Sequence, residues 1–251
     1  MTRTSIIAEL ATNWSGSEPL AHEMVKSAAA NGADIVKVQL FDASTLNDLD
    51  PQKAWLTAAQ IDRPMLDRLI STAAKANVKL TASVFGIPQA IEAHAAGLET
   101  IKIGSGEGER HDLIGHCRQI FRSVWVSEGL IHRPRPNVPT YNVVPFYGVS
   151  QYPTPYFRGL ARLHQADKTG TWGWSDHGEN LEVAKEAILH GATYVERHYT
   201  LGIGKGCRHD AWDTSYDQLR ELRKFADDCA WGAGVKEYDD AVKRFVGRWG
   251  A

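Results

Sequence analysis

The chain has 251 residues, with 28 Lys and Arg against 30 Asp and Glu, for a formal net charge of −2. Polyanion-binding proteins carry a basic surplus, so this balance argues against nucleic acid as a partner. Hydrophobic residues at 43% and charged residues at 23% describe a globular chain long enough to bury a large core.

No apolar run reaches the ~18 residues of a membrane span, and the start, Met1-Thr2-Arg3-Thr4, has no signal-peptide pattern. Cys117, Cys207 and Cys229 are odd in number and form no CxxC pair, which argues against a disulfide framework and a thiolate zinc site. A reducing, cytoplasmic location is expected.

Short apolar runs alternate with amphipathic ones. In chain order the pattern predicts a strand at 5–10, a helix at 20–31, a strand at 35–40, a helix at 64–77, a strand at 79–84 and a helix at 88–96. Strands at 100–104, 123–126, 142–149 and 171–175 follow, then a helix at 181–190, a strand at 193–198 and a long helix at 215–231. Several of these strands are apolar on both faces, as buried parallel strands are. Three helix ends share one grammar, a Gly two residues before the next strand, at Gly32, Gly97 and Gly191. Their spacings fit about two and three units of roughly 31 residues, the repeat of a (β/α)8 barrel. The expected fold is therefore one α/β domain over 1–251, a (β/α)8 TIM barrel; a doubly wound sheet uses the same units and stays open. Pro134, Pro136 and Pro139 forbid a normal helix after the fifth strand, so that helix is expected to be short or missing. The mixed-charge stretch 237–248 reads as a solvated helix.

Catalytic groups of such barrels sit at the C-terminal ends of the strands. Those ends carry Glu9 and Asn13; Lys37 and Gln39; Ser83; Lys102, Ser105 and Glu107; Ser127 and Glu128; Ser150, Gln151 and Tyr152; Ser175, Asp176 and His177; and Glu196 and His198. Lys37 and Lys102 interrupt apolar strands. A buried Lys must be paired or used, and two at equivalent positions favour a shared anionic ligand over simple pairing. Gly104-Ser105-Gly106-Glu107-Gly108 allows backbone N–H groups to approach a phosphate, though a plain turn has the same sequence. Ser83, Ser127, Ser150 and Ser175 complete a cradle for a small phosphorylated acid. His177 and His198 end adjacent strands and favour a divalent metal over a core role, with Glu9 and Asp176 as oxygen ligands or supporting groups. Trp172 and Trp174 alternate onto one face, towards helix packing. Gly202-Ile203-Gly204-Lys205-Gly206 reads as a loop at the site mouth. There is no P-loop, HExxH or GxSxG.

Ile7-Ala8-Glu9, Val36-Lys37-Val38-Gln39, Ile101-Lys102-Ile103-Gly104-Ser105-Gly106-Glu107, Tyr152-Pro153-Thr154-Pro155, Gly173-Trp174-Ser175-Asp176-His177 and Val195-Glu196-Arg197-His198-Tyr199-Thr200-Leu201 occur in this order. Together they resemble the N-acetylneuraminate (sialic acid) synthase family of phosphoenolpyruvate-condensing barrels. The resemblance implies a metal-dependent condensation of phosphoenolpyruvate with an aldehyde, giving a 2-keto-3-deoxy acid and phosphate. It assigns the metal, Mn²⁺ or Mg²⁺, to His177 and His198. It assigns the enolpyruvate to Lys37, Ser83, Lys102, Ser105, Ser127, Ser150 and Ser175. Gln39, Tyr152 and Arg208 join the substrate-binding set, and Glu9 and Glu107 are candidates for proton and water handling. A homodimer is one assembly open to such a barrel. The family's C-terminal antifreeze-like domain is expected to be lacking, and an acceptor-facing Asp of the family corresponds here to Arg208. The donor half matches while the acceptor half departs, so the expected acceptor is an aldehyde other than N-acetylmannosamine. Two rival readings remain: a lysine Schiff-base aldolase using Lys37 or Lys102, and a non-catalytic barrel that binds a phosphorylated acid.

Overall fold

The computed structural model describes residues 3–129 and 141–233. Eight parallel strands close into one barrel in sequence order: β1 (Ser5–Glu9), β2 (Ile35–Leu40), β3 (Lys79–Val84), β4 (Thr100–Ile103), β5 (Ser123–Ser127), β6 (Val143–Gly148), β7 (Gly173–Asp176) and β8 (Tyr194–His198). β8 pairs with β1 over five residues, from Ser5 opposite Tyr194 to Glu9 opposite His198. That closure excludes the doubly wound sheet.

The helices are α1 (Glu18–Ala30), α2 (Lys53–Ala58), α3 (Arg63–Lys75), α4 (Ile87–Ala95), α5 (His111–Ile120), α6 (Tyr156–Gln165), α7 (Glu182–Leu189) and α8 (Tyr216–Ala233). Local chemistry sets their ends. The Asp62 side chain accepts from the Met65 N–H at 2.8 Å, with Pro64 in the first turn of α3. Gly32, Gly97 and Gly191 have φ of 98°, 87° and 84°, the left-handed conformation that stops α1, α4 and α7 before the next strand. Periodicity alone missed α2, α5 and α6. In α5 the buried residues are Leu113, Ile114 and Cys117, and in α6 Gly159 and Leu163. The proline-rich stretch after β5 and the segment 237–248 lie outside the described residues. No described helix is long and apolar enough to cross a membrane.

The main core lies between barrel and helices; Trp172 and Trp174, each 1% exposed, belong to it. Burying an aromatic of this size contributes about 2–3 kcal/mol. A second, smaller cluster of Ile7, Ile35, Trp125 and Phe146 fills the barrel interior. Trp125 stacks on Phe146 with centroids 5.0 Å apart, and Lys102 Nζ lies 4.8 Å from the Phe146 ring centroid. An aromatic floor thus separates the polar end of the barrel from its lower mouth.

Candidate active site

Above that floor lies a cavity of about 400 Å³, a size that suits a small metabolite. Strand alternation decides what lines it, because residues two apart share a face. On β2 these are Lys37 and Gln39; on β3, Ser83; on β4, Lys102, followed by Ser105 and Glu107; on β7, Ser175 and then His177; on β8, Glu196 and His198. Glu9, Ser127, Ser150 and Tyr152 complete the set, with Phe85 at its edge. Of the sequence-selected candidates, Asn13, Glu128, Gln151, Asp176 and Arg208 do not line this cavity; the others meet in it.

The lysines are both paired and central. Lys37 ion-pairs with Glu9 and donates to Ser83 Oγ at 2.6 Å. Lys102 Nζ donates to Ser175 Oγ and to Glu196 Oε1, each at 2.7 Å. Burial opposes both charges. For Lys37 the carboxylates of Glu196 and Glu9 win, and its pKa is raised. For Lys102 burial, aided by repulsion from Lys37, wins and its pKa falls, although Glu196 opposes this. Burial likewise raises Glu9, with repulsion from Glu196 adding to it. For Glu196 burial is overridden by Lys102 and Lys37, which hold it down at about 2. Glu107, half-buried in the 3₁₀ turn Ser105–Glu107, is raised by burial.

On the β4–β6 side the hydroxyls draw together. Ser105 Oγ and Ser127 Oγ share a hydrogen bond at 2.6 Å. A Cβ at Gly129 would stand 2.5 Å from Ser150 Oγ and 2.7 Å from Ser105 Oγ, so only glycine leaves this cluster room.

At the mouth, the His177 and His198 rings have centroids 5.5 Å apart, and the Tyr152 ring lies 4.2 Å from that of His177. The peptide bond Tyr152–Pro153 is cis. His177 Nδ1 lies 2.8 Å from the Val149 carbonyl. A carbonyl only accepts, so Nδ1 carries the proton and Nε2 keeps its lone pair. Burial lowers His177 to about 4 and, with repulsion from His177, lowers His198 well below its usual value. Both imidazoles are therefore neutral at pH 7, the form that ligates a metal. Among the described residues no three His, Cys, Asp or Glu side chains form a metal-binding cluster. The pair fits a divalent ion that takes its other ligands from substrate and water.

Two sequence expectations change. Asp176, expected beside the metal, points away from this cavity into a buried ion pair with Arg197. It falls one residue off the Ser175–His177 face, so alternation turns it outward. Arg208 does not line the cavity. Its guanidinium lies 4.4 Å from the Trp55 ring centroid and 2.7 Å from Asp210. Conversely, Glu196 was seen at a strand end but given no role; its place on the His198 face of β8 was the available signal.

The family model for NeuB matches residues 24–234. The chain belongs to the NeuB family. It is similar to the N,N'-diacetyllegionaminic acid synthase of Campylobacter jejuni, with 25% identity over 98% of this chain and 83% of the relative. It is also similar to the enzyme of the same name from Legionella pneumophila, with 26% identity over 78% of this chain and 64% of the relative. Among solved structures, the N-acetylneuraminic acid synthetase of Leptospira borgpetersenii matches with a TM-score of 0.83 and 20% identity, covering 97% of this chain and 92% of that one. At that identity the likeness shows the shared barrel.

Proposed function

We propose that this NeuB-family protein is an enzyme that condenses phosphoenolpyruvate with a sugar-like aldehyde, giving a 2-keto-3-deoxy acid and phosphate. One observation carries the reading: two ammonium groups and a cluster of hydroxyls share a cavity with a neutral imidazole pair. Relatives named as legionaminic and sialic acid synthases support the reaction class.

Lys37 and Lys102 would neutralise the donor's carboxylate and phosphate, and Ser105, Ser127 and Ser150 would hydrogen-bond their oxygens. C3 of the donor forms the new bond to the aldehyde carbon, water adds at C2, and phosphate leaves. His177 and His198 would hold Mn²⁺ or Mg²⁺, which when bound supplies Lewis-acid polarisation of the aldehyde and stabilises the developing alkoxide. Glu9 and Glu107, whose carboxyls burial raises, would handle the protons of water and alkoxide.

A phosphate-release assay over a panel of aldehyde sugars tests this. Release is expected only with phosphoenolpyruvate, a divalent ion and an aldehyde together. No release across the panel contradicts the reading. A borohydride-trapped adduct on Lys37 or Lys102 would move it to Schiff-base chemistry.

A further inference from the structure

Glu196 is the deepest unassigned charge of the cavity. It is 4% exposed, and its Oε1 accepts from Lys102 Nζ at 2.7 Å while lying 3.6 Å from Lys37 Nζ. One carboxylate oxygen thus joins both lysines. Its Oε2 is buried without a hydrogen-bond partner. A buried carboxylate left half-satisfied is costly, so its retention calls for a use.

The barrel order shows what that use is. β2 and β4 are separated by β3, and β8 stands across the barrel from β4. The ladders through β3 fix the two backbones, Lys37 opposite Thr81 and Lys102 opposite Ser83, but not the distance between the ammonium groups, which sit on long, flexible stems. Glu9 reaches Lys37 from β1, and Ser83 and Ser175 each hold one lysine. Among the described residues, Glu196 alone ion-pairs with both.

We propose that Glu196 is a positioning residue that ties Lys37 and Lys102 to one point, so that both ammonium groups address the same anion. This rests on the reading of the cavity as a phosphoenolpyruvate site. Two effects of removing the charge then separate. Loss of a negative group from an anion site favours donor binding, whereas loss of the tether misplaces the lysines and slows turnover.

The test compares wild type with Glu196→Gln, which keeps the shape and loses the charge. Phosphoenolpyruvate binding is measured by calorimetry without acceptor, and turnover by phosphate release. For Glu196→Gln, kcat is expected to fall at least ~10-fold, since misplacement by about 1 Å can cost ~100-fold. Donor Kd is expected to stay the same or tighten. Lys102→Ala should do the opposite and weaken donor binding. An unchanged kcat in Glu196→Gln, or a loss of donor affinity as large as that of Lys102→Ala, overturns the proposal. Crystal structures of the two proteins give an arm independent of turnover. Displacement of Lys102 Nζ from Ser175 supports the tether, and unmoved lysines refute it. If wild type releases no phosphate, the functional reading fails while this comparison still decides the role of Glu196. If Glu196→Gln does not fold, Glu196→Asp, which keeps the charge but has a shorter reach, tests the tether alone: kcat is expected to fall and Lys102 Nζ to shift, and an unchanged kcat with unmoved lysines overturns the proposal.

Discussion

At the residue scale, the His177 ring is committed twice: Nδ1 donates to the Val149 carbonyl, and burial keeps the ring neutral. Truncating His177 or His198 to Ala is expected to abolish turnover and lower metal content, with the fold retained by circular dichroism. Lys102→Ala should instead spare metal content. Loss of a direct ligand should exceed the ~10–100-fold loss in metal affinity typical of an outer partner. A pH effect follows from the same burial. His177 titrates at about 4 when folded and near 6.5 unfolded, so below about pH 6.5 the unfolded chain takes up a proton that the folded one refuses. Stability of the metal-free protein is therefore full above that pH and falls as pH drops towards 4. His177 alone accounts for ~2 kcal/mol between pH 7 and pH 5, readable by urea unfolding at each pH. Lys37 and Lys102 were legible in the sequence because a lysine inside an apolar strand needs a reason. Glu196 was not, because the chain shows which face a residue occupies but not which cations reach it across a barrel.

At the element scale, β8 ends in His198 and His177 directly follows β7, and the residue before each histidine helps lock the two strands together. Asp176 and Arg197 form an ion pair, each 2% exposed or less. The Arg197 guanidinium also donates to the carbonyls of Gly178, Asn180 and Trp212 and to Thr214 Oγ1. One side chain thus fixes the loops after β7 and β8 beside the imidazole pair. Asp176→Asn leaves that cation without its counter-charge, at an expected cost of ~3 kcal/mol in stability, measured by urea unfolding. Metal affinity, measured by titration, is expected to drop ~10-fold, because the histidines lose their frame. The strands were readable because parallel strands are apolar on both faces and end at polar groups. Helices such as α6 were hidden: Gly159, Arg162 and His164 dilute an apolar face that only Leu163 and the glycine bury. The Asp176–Arg197 lock was hidden for another reason: alternation sets Asp176 off the His177 face, but nothing in the chain shows that Arg197 meets it there.

At the scale of the whole molecule, the closed sheet puts an aromatic plug of Trp125, Phe146 and Tyr194 beneath a charged cavity, so the lysines, carboxylates and hydroxyls gather at one end. The regular spacing of the glycine helix stops made that architecture visible before any contact was known. The place of Arg208 was less visible, because it sits on a loop, where its guanidinium is held by Trp55 and Asp210 outside the cavity. The central claim is that this cavity makes a carbon–carbon bond from an enolpyruvate. Mass spectrometry of the products formed from phosphoenolpyruvate labelled with ¹³C at C3, in the presence of Mn²⁺ or Mg²⁺ and an aldehyde sugar, tests it most directly. The expected result is a single acid that carries the label together with the whole acceptor carbon chain. Label recovered only in pyruvate or in unreacted donor, whatever the aldehyde, contradicts it.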